Sequence, residues 1–348
     1  MNRVKLAVVG VGALGQHHAR ILSTMPDVHL VGVVDSREQQ GRQIAAKHGT
    51  QWFASPAQIL PLVQGVIIAV PTIFHQDVGL PFLEAGIAVL MEKPLAHSLQ
   101  AAQTLQRMAV FRRSILQVGH VERFNPAFEL LQEKIERPLY IRAQRLSPYT
   151  FRSTDIGVVH DLMIHDIDLV LALTGDSIVS VDTFGAVTFG PHEDMAVARL
   201  KTSSGIIADI TASRMSPVAE RTIQVFSTNG CVTADLNQRT VSRWQPVAPL
   251  AANPSLVHDI IAATPDPTTL KNEVFQKWIT NETLQASSVD ALTAELTDFV
   301  RCIRTDGRPR VSGEDAVRAL EVADRILAGI AKWSWQDKLP NRDAAKVA

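Results

Sequence analysis

Cysteine is scarce in this sequence. Only Cys231 and Cys302 occur among 348 residues, and they lie far apart along the chain. Two distant cysteines exclude a disulfide framework and lack the paired spacing of a structural zinc site. This cysteine content is typical of a reducing compartment, so we expect a cytoplasmic protein.

An excess of charge and long apolar runs are also absent. The formal net charge is −1, so the composition does not favour binding to nucleic acid or to an anionic membrane. No stretch approaches the ~20 uninterrupted apolar residues of a membrane span. Residues 1–14 resemble a signal peptide, but glycines interrupt the apolar run and no small-residue cleavage site follows it. We therefore expect neither a nucleic-acid nor a membrane partner.

Two patterns of secondary structure divide the chain, whose length already predicts two domains. Over residues 1–120, short apolar runs alternate with helical patterns, which predicts an α/β domain with a doubly wound parallel sheet. Residues 121–348 hold β-rich runs with few helices between them, which predicts an α+β domain with a mostly antiparallel sheet. Within it, helices are predicted near 126–135, 158–173, 290–304 and 313–330. Residues 245–269 are predicted to form a loop rich in Pro, Ala and Asn, and the polar tail after Trp335 is predicted to fray.

A glycine-rich turn joins the first predicted strand, KLAVV at 5–9, to the first predicted helix. Its sequence is Gly10-Val11-Gly12-Ala13-Leu14-Gly15. The three glycines would allow a tight turn, close approach of a pyrophosphate to the backbone, and close packing of helix on strand. The N-terminus of the helix would offer free N–H groups to the phosphates. The pattern predicts a dinucleotide site with cofactor contacts from Gly10, Gly12, Ala13, Leu14 and Gly15; the alternative is a glycine-rich turn of another α/β protein.

An acidic residue, Asp35, lies twenty residues after Gly15 at the end of the second predicted strand. It would accept hydrogen bonds from the adenosine ribose and disfavour a 2′-phosphate, which favours NAD over NADP. Ser36 and Arg37 follow it and are also candidates for cofactor contacts. Arg37 keeps NADP open, because an arginine after the acid can bind the 2′-phosphate, although such an arginine is more often a solvated residue at a helix start.

The tripeptide Glu92-Lys93-Pro94 lies at the carboxyl end of a predicted strand, where open α/β sheets bind ligands. Lys93 could polarise a substrate hydroxyl, assist its deprotonation or bind the cofactor. Taken alone, the tripeptide is better explained by a surface lysine before a turn proline.

A second group of polar residues lies in the apolar segment 161–168. If this segment is helical, Asp161 and His165 lie on one face, with Asp168 close to it. A carboxylate beside a histidine orients the ring and raises its basicity, as a general base requires. A capping or surface-paired histidine is the alternative. His160, Asp161 and His165 could also coordinate a metal, but no further ligand cluster supports this, and we expect no metal.

Six segments together resemble the Gfo/Idh/MocA oxidoreductases, named for glucose–fructose oxidoreductase and inositol dehydrogenase. The resemblance spans nearly the whole chain. The segments are GVGALGQHHARIL at 10–22, AVPTIFH at 69–75, MEKPLA at 91–96, VGHVERFNP at 118–126, HDLMIHDIDLVLALTG at 160–175 and VSGEDAVRALEVADRI at 311–326.

This resemblance implies a Rossmann domain followed by an α+β domain whose open-faced sheet joins the subunits of a homodimer or homotetramer. It implies that Lys93 contacts both substrate and nicotinamide, and that Asp161 and His165 form the catalytic pair and contact the substrate. Further implied contacts are with the cofactor for Val70, Pro71, His75 and Glu92, and with the substrate for Arg123 and Asn125. One departure concerns the segment before the Asp-His helix: many members have a Gly-Gly run there, whereas this chain has Ile156-Gly157-Val158-Val159.

The resemblance also implies the reaction, NAD-dependent oxidation of a secondary hydroxyl on a sugar. GHVERFNP and DIGVVHDLMIHDIDL are most similar to the UDP-N-acetylglucosamine 3-dehydrogenases, which form a 3-keto nucleotide sugar. The alternatives are a dehydrogenase of another sugar or polyol, a redox-assisted NAD-dependent glycosidase, a bilin or imine reductase, and a non-catalytic dinucleotide-sensing regulator. A regulator would be expected to lose Lys93, Asp161 and His165, which this chain retains.

Overall fold

The computed structural model describes residues 3–150 and 156–332, which form two compact units. The first unit comprises residues 3–124 and 289–324, and the second comprises the other described residues. The tail after Trp335, predicted to fray, lies outside the described residues.

The first unit is built on a parallel sheet that has six strands within the described part of the chain. Its strand order is β3-β2-β1-β4-β5-β6, which reverses direction between β1 and β4, as in a doubly wound fold. The strands are β1 Val4–Val9, β2 Val28–Val34, β3 Gln51–Phe53, β4 Gly65–Ile68, β5 Ala88–Glu92 and β6 Leu116–Gly119. Each described pair of neighbours runs parallel, which confirms the predicted sheet.

Helices connect these strands. They are α1 Gly15–Thr24, α2 Glu38–Lys47, α3 His75–Glu84 and α4 Leu99–Arg112, with short 3₁₀ turns at Pro56–Gln58, Leu60–Leu62, Thr72–Phe74 and Val121–Phe124. Apart from the edge strand β3, the strands are mostly buried and apolar, because helices cover both faces of a sheet of this kind.

Residues 289–324 belong to the first unit, although the sequence pattern placed everything after residue 120 in the second domain. This stretch includes a later helix, Ala291–Thr305, whose residues Leu296, Phe299 and Val300 are buried in the core formed by β1, β2 and α1. An amphipathic pattern predicts a helix but does not say which sheet the helix will cover. The sequence therefore predicted this helix correctly but did not predict which sheet it covers.

The second unit is built on a sheet with eight strands among the described residues, in the order β14-β13-β12-β11-β7-β10-β9-β8. The strands are β7 Pro138–Leu146, β8 Ile178–Ala186, β9 Met195–Thr202, β10 Ile207–Ser213, β11 Glu220–Ser227, β12 Gly230–Asp235, β13 Thr240–Pro246 and β14 Ile279–Gln285. β7 and β10 run parallel, and the other described neighbours are antiparallel, which confirms the mostly antiparallel sheet.

Two helical segments precede and follow β7. They are α5 Pro126–Lys134, then a π-helical turn Val159–Met163 that continues directly into α6 Ile164–Thr174. Arg145 on β7 and Asp166 on α6 form a buried two-bond ion pair, with N···O distances of 2.9 and 2.8 Å. This pair fixes α6 against the sheet.

The predicted loop at 245–269 is wrong in part. Its first residues end β13, and two short helices follow, α7 Ala248–Ala252 and α8 Leu256–Ala263, before a 3₁₀ turn Pro267–Asn272 and a π-helical turn Val274–Trp278. β13 and β14 were also missed. β14, ITNETLQ, is mostly exposed at the edge of the sheet and lacks the apolar alternation by which a strand is recognised.

The last two helices in the described part of the chain are α9 Ala291–Thr305 and α10 Gly313–Ala331. α10 has residues in both units.

The two faces of the second sheet differ in polarity, and successive residues of each strand lie on opposite faces. Residues that lie directly across from one another form a polar row over all eight described strands: Asp182, Arg199, Asp209, Arg142, Gln224, Thr233, Ser242 and Thr283. The adjacent row on the opposite face contains Ala198, Ile210, Ala143, Ile223, Ala234 and Val241, all completely buried. Five residues of this row line a depression of about 650 Å³: Asp182, Arg199, Asp209, Arg142 and Gln224. In it, Arg199 donates two 2.7 Å hydrogen bonds to Asp209.

Candidate cofactor and catalytic sites

The turn after β1 has the geometry that its glycines predict. Gly10 has a φ of 83°, and a Cβ at this position would lie 2.7 Å from the carbonyl oxygen of Ala69. A Cβ on Gly15 would overlap the carbonyl of Gly10, so α1 can approach β1 only with glycine there. Gly12 is different, since the nearest atom to its Cβ position is Arg37 Nη2 at 3.6 Å. This is the cradle that a dinucleotide needs: two glycines close the turn and the third leaves room for the pyrophosphate.

Asp35 lies beside this turn, at the end of β2. Its Oδ2 accepts a 3.0 Å hydrogen bond from the backbone N–H of Val11, and its Oδ1 accepts one of 2.9 Å from the N–H of Arg37. The Arg37 side chain, which is 67% exposed, approaches the same oxygen at 3.4 Å. Trp52 donates from its indole N–H to the Asp35 carbonyl at 3.1 Å. The carboxylate is therefore held in one orientation next to the glycine turn, as the sequence spacing predicts.

Glu92 forms a buried pair with a residue that the sequence analysis missed. Its Oε1 lies 2.7 Å from Nε2 of His18, which is completely buried on α1. Burial alone would raise the pKa of the Glu92 carboxyl, but the His18 ring and the charge of Lys93 lower it overall. A Cβ on Gly119 would lie 2.9 Å from Glu92 Oε2, so glycine is needed on the neighbouring strand β6. His18 could have been recognised in the sequence as a polar residue at a buried position of α1, the helix after the glycine turn.

Lys93 follows β5 directly, at the carboxyl end of the sheet, and is half-buried. The Lys93–Pro94 peptide bond is cis. His120, completely buried after β6, was also missed as a neighbour of this lysine. Burial, together with the positive charges of Lys93 and Arg123, lowers the pKa of His120 to about 3, so this ring is neutral at physiological pH.

His75 connects the segments that follow β4 and β5. Its Nδ1 lies 3.0 Å from the carbonyl oxygen of Pro94 and 3.3 Å from that of Leu95, and its Nε2 lies 3.0 Å from that of Val70. The ring is buried, and this burial lowers its pKa although the carbonyl contacts oppose the shift. His75 thus holds together the loop after β4 and the turn with Lys93 after β5. Its predicted cofactor contact stays a prediction.

Two exposed apolar side chains lie in the same loop. Ile73 is 63% exposed and Phe74 is 49% exposed, in the turn that follows Pro71. Pro71 and His75 in this loop were predicted from the sequence as cofactor contacts, whereas Ile73 and Phe74 were not.

Arg123 and Asn125, predicted to contact substrate, have structural partners. Arg123 donates from Nη2 to the carbonyl of Arg310 at 3.2 Å, and Arg310 donates from Nη1 to the carbonyl of Arg123 at 3.3 Å. Asn125 caps α5 by accepting from the N–H of Ala127, and its amide donates to the carbonyl of Leu236 at 3.1 Å. Their substrate contacts stay predictions.

Asp161 and His165 lie on the predicted helical segment, which has two parts. The sequence predicted one continuous helix from 158 to 173; the structure has a π-helical turn with Asp161, and His165 is in the first turn of α6. Both are half-buried, whereas Asp168 is buried further along α6. π-helical turns are rare and occur frequently at functional sites, which adds a structural reason to regard this pair as functional.

A second buried acid lies near Glu92. Glu295 on α9 is completely buried, and its carboxyl oxygens have no hydrogen-bond partner among the described residues. The side chain of Gln117 on β6 donates to its backbone carbonyl at 3.1 Å. Burial, and then the charge of Glu92, raise the pKa of Glu295 well above its ordinary value. Glu295 therefore keeps its proton to a higher pH than Glu92 does.

The described residues contain no group of three or more His, Cys, Asp or Glu side chains placed to hold a metal ion. No helix among them combines the length and apolarity required to cross a membrane.

Comparison with known proteins agrees with this fold and these motifs. The family described as "Oxidoreductase family, NAD-binding Rossmann fold" matches residues 4–120, and the "GFO/IDH/MocA C-terminal domain" matches residues 132–233. The chain is 31% identical to UDP-N-acetylglucosamine 3-dehydrogenase of Acidithiobacillus ferrooxidans, over 95% of this chain and 98% of that protein. It is 30% identical to scyllo-inositol 2-dehydrogenase (NAD(+)) of Bacillus subtilis, over 92% of each.

Solved structures give the same result. The structure of the Acidithiobacillus ferrooxidans UDP-N-acetylglucosamine 3-dehydrogenase has a TM-score of 0.84 to this chain, with 29% identity over 95% of this chain and 99% of the other. The fold and motifs define an oxidoreductase that acts on CH–OH groups with a nicotinamide dinucleotide. The chain belongs to the Gfo/Idh/MocA family.

The raised pKa of Glu295 gives a test of its neutral state. A carboxyl whose pKa is higher in the folded than in the unfolded protein loses stability as the pH rises above its unfolded pKa of ~4.3. Glu295→Met removes the acid at similar volume, so its free energy of unfolding relative to wild type should increase as the pH rises above ~4.3. Urea unfolding at several pH values measures this difference.

Glu321→Gln, an exposed substitution on α10, serves as the control and should show a difference that is constant with pH. If the difference between Glu295→Met and wild type is also constant, then Glu295 is not a buried neutral acid.

Proposed function

We propose that this protein is a sugar dehydrogenase that oxidises the 3-hydroxyl of UDP-N-acetylglucosamine to a 3-keto nucleotide sugar. The observation that carries the proposal is the likeness to an enzyme of that name, with 31% identity and a TM-score of 0.84 over nearly the whole of both chains. The retained Lys93, Asp161 and His165 support it. A non-catalytic regulator would have no use for this combination.

In the proposed mechanism, each residue has one chemical task. His165, oriented by Asp161, takes the proton of the substrate hydroxyl. Lys93 stabilises the negative charge that develops on that oxygen as its proton leaves. A bound nicotinamide dinucleotide would supply the acceptor for the hydride from the carbon that bears this hydroxyl. The proton and the hydride together account for oxidation of the alcohol to a ketone.

We propose NAD as the cofactor rather than NADP. The support is the fixed position of Asp35 beside the glycine turn, where its carboxylate would accept hydrogen bonds from the ribose and repel a 2′-phosphate. Arg37 is the residue that could favour NADP. In the structure its backbone N–H and its guanidinium both face Asp35, which favours the acid as the determinant.

A dehydrogenase of a polyol is the second candidate. The observation that favours it is the 30% identity with scyllo-inositol 2-dehydrogenase (NAD(+)), which almost equals the value for the nucleotide-sugar enzyme. In both candidates the reacting group is a secondary hydroxyl, and the proposed tasks of Lys93 and His165 are the same. We further propose that the protein works in the cytoplasm, where its two free cysteines would stay reduced.

Purified protein tested with UDP-N-acetylglucosamine, scyllo-inositol and other sugars should form NADH with UDP-N-acetylglucosamine. His165→Ala should lower kcat by about 10²- to 10⁴-fold, since it removes a general base. Lys93→Met should lower it by about 10²- to 10³-fold, since it removes stabilisation of the oxyanion. An exposed control, His29→Ala, should have wild-type activity.

Three results would contradict this proposal. NADH formation with scyllo-inositol but not with the nucleotide sugar would establish the second candidate instead. Release of free sugar without net NADH would identify a redox-assisted glycosidase. Wild-type kcat in His165→Ala would remove the proposed base.

The cofactor preference has its own test. Asp35→Ala should raise the KM for NAD+ by about 10- to 100-fold, the loss expected for hydrogen bonds to a charged group. Asp35→Asn keeps an acceptor without the charge, so it should retain more NAD+ affinity while still accepting NADP+ better than wild type. Measurement of kcat/KM with both cofactors gives the ratio for each variant. A wild-type preference for NADP+ would overturn the proposal.

We also propose that the polar face of the second sheet joins subunits in a homodimer or homotetramer. Charges of alternating sign lie across β8, β9, β10 and β7 in the polar row, and a parallel row on the same face exposes the aromatic residues Phe226, at 40%, and Trp244, at 36%. Aromatic residues and arginine are enriched in protein interfaces.

An added charge in the middle of this face should dissociate the oligomer. Gln224→Arg places an unpaired cation in the polar row, and light scattering after gel filtration should then show a smaller mass than wild type. Gln39→Arg adds the same charge to the exposed side of α2 and should leave the mass unchanged. A monomeric wild-type protein at micromolar concentration would exclude the proposed interface.

A further inference from the structure

The start of the helical segment that carries Asp161 and His165 is held by a turn that is distant in sequence. This turn, residues 187–194, joins β8 to β9. The N–H of Val158 donates to the backbone carbonyl of Glu193 at 3.0 Å, and the N–H of Val159 donates to its side-chain Oε1, also at 3.0 Å. Glu193 is buried, with 8% of its surface exposed. It therefore acts as the cap that the π-helical turn lacks in its own sequence, since Val158 at the N-cap position has no side-chain acceptor.

The turn that holds Glu193 is itself fixed by a buried ion pair. Asp194 Oδ2 accepts from the backbone N–H groups of Thr188 and Phe189, at 2.6 and 2.7 Å, which closes the turn. Arg214 at the end of β10 donates from Nε to Asp194 Oδ1 at 2.7 Å and from Nη1 to the carbonyl of Ile156 at 3.0 Å. The turn and the segment that precedes the helix are thus held by one arginine.

Gly157 provides the space for this cap. A Cβ on Gly157 would overlap the carboxylate of Glu193. Its φ is not in the left-handed region, so the requirement is for space and not for backbone freedom. The carbonyl of Gly157 in turn accepts from the N–H of Asp161 at 3.1 Å. A chain of contacts therefore leads from the Glu193 carboxylate through Gly157 to the backbone of Asp161.

This arrangement gives a reason for the departure from the Gly-Gly run at Ile156-Gly157-Val158-Val159. Gly157 faces the Glu193 carboxylate, and valines occupy the two positions whose N–H groups bind Glu193. The side chains of Val158 and Val159 are completely buried. The segment is thus anchored by apolar packing and by the cap together.

We propose that Glu193 is a positioning residue for the Asp161–His165 pair: its carboxylate caps the π-helical turn and fixes the orientation of Asp161 toward the histidine. The inference rests on the proposed catalytic function of that pair. Glu193 touches neither substrate nor cofactor in this proposal and acts through the backbone that it holds. A small displacement of a catalytic group is enough to cost about 10²-fold in rate, so a cap can have a large kinetic effect.

Four variants test the proposal with the substrate that the wild type oxidises, UDP-N-acetylglucosamine or scyllo-inositol. Glu193→Ala removes the cap and should lower kcat by about 10- to 100-fold with little change in KM. Glu193→Gln keeps an oxygen that can accept from Val159 and should retain most of the activity. Gly157→Ala should reproduce the loss by displacing the carboxylate. The double variant Gly157→Ala/Glu193→Ala should be no worse than Glu193→Ala alone, because the space for the added methyl group is then free.

The pH profile separates positioning from a general loss of structure. A carboxylate aligned with His165 raises its basicity, so a misaligned Asp161 should move the acid limb of kcat/KM to lower pH in Glu193→Ala. Glu193→Gln loses the same charge and keeps the cap. The acid limb of its kcat/KM profile should therefore stay closer to that of the wild type. Glu282→Ala, at an exposed position of β14, is the control for removal of a glutamate. Thermal unfolding of each variant shows whether it is folded at the assay temperature.

The outcomes separate failure of this inference from failure of the proposed function. Wild-type activity in His165→Ala would remove the function itself. A large loss in His165→Ala, combined with wild-type kcat and pH profile in Glu193→Ala, would overturn only the role of Glu193. Equal shifts of the acid limb in the Ala and Gln variants would overturn it too, because they would show an effect of charge and not of the cap. Additive losses in the double variant would contradict the contact between Gly157 and Glu193.

Discussion

The buried pair of His18 and Glu92 is the contact that connects the parts of the first unit on which the chemistry depends. His18 lies on the helix that begins at the glycine turn, and Glu92 is the last residue of the strand that presents Lys93. A charged hydrogen bond at 2.7 Å in a dry environment has little freedom, so the cofactor turn and the lysine are held in one arrangement. Gly119 on β6 leaves room for the pair, because a Cβ at this position would lie 2.9 Å from Glu92 Oε2.

The same pair determines the charge state of its surroundings. Glu92 has the direct contact with His18, at 2.7 Å. Glu295, without a partner among the described residues, then lies near a negative charge in a place that water does not reach, and the neutral form is favoured for both reasons. The pKa values of the two buried acids therefore shift in opposite directions, because only Glu92 has a direct hydrogen bond to a histidine and the charge of Lys93 beside it.

Local patterns in the sequence were sufficient to predict the parallel sheet, the glycine turn with Asp35 beside it, and a helical segment with Asp161 and His165, because each depends on residues close together in the chain. The contacts that support these sites were not predictable in this way. His18 and Glu92 are 74 residues apart, and Val159 and Glu193 are 34 apart. A sequence shows that such residues are polar, but only the fold shows which of them meet. The same reason explains the placement of α9, whose apolar face was evident and whose partner sheet was not.

The second sheet performs two tasks because successive residues of a strand point to opposite faces. On β7, Ala143 and Arg145 face α6, where Arg145 binds Asp166 and so supports the segment with Asp161 and His165. Arg142, one residue before Ala143, belongs to the polar row of the other face. A register slip of one residue would exchange the two rows, burying charges against α6 and exposing alanine and isoleucine. The apolar row therefore fixes the register, and this same register sets both the support of the catalytic segment and the pattern of charges on the opposite face.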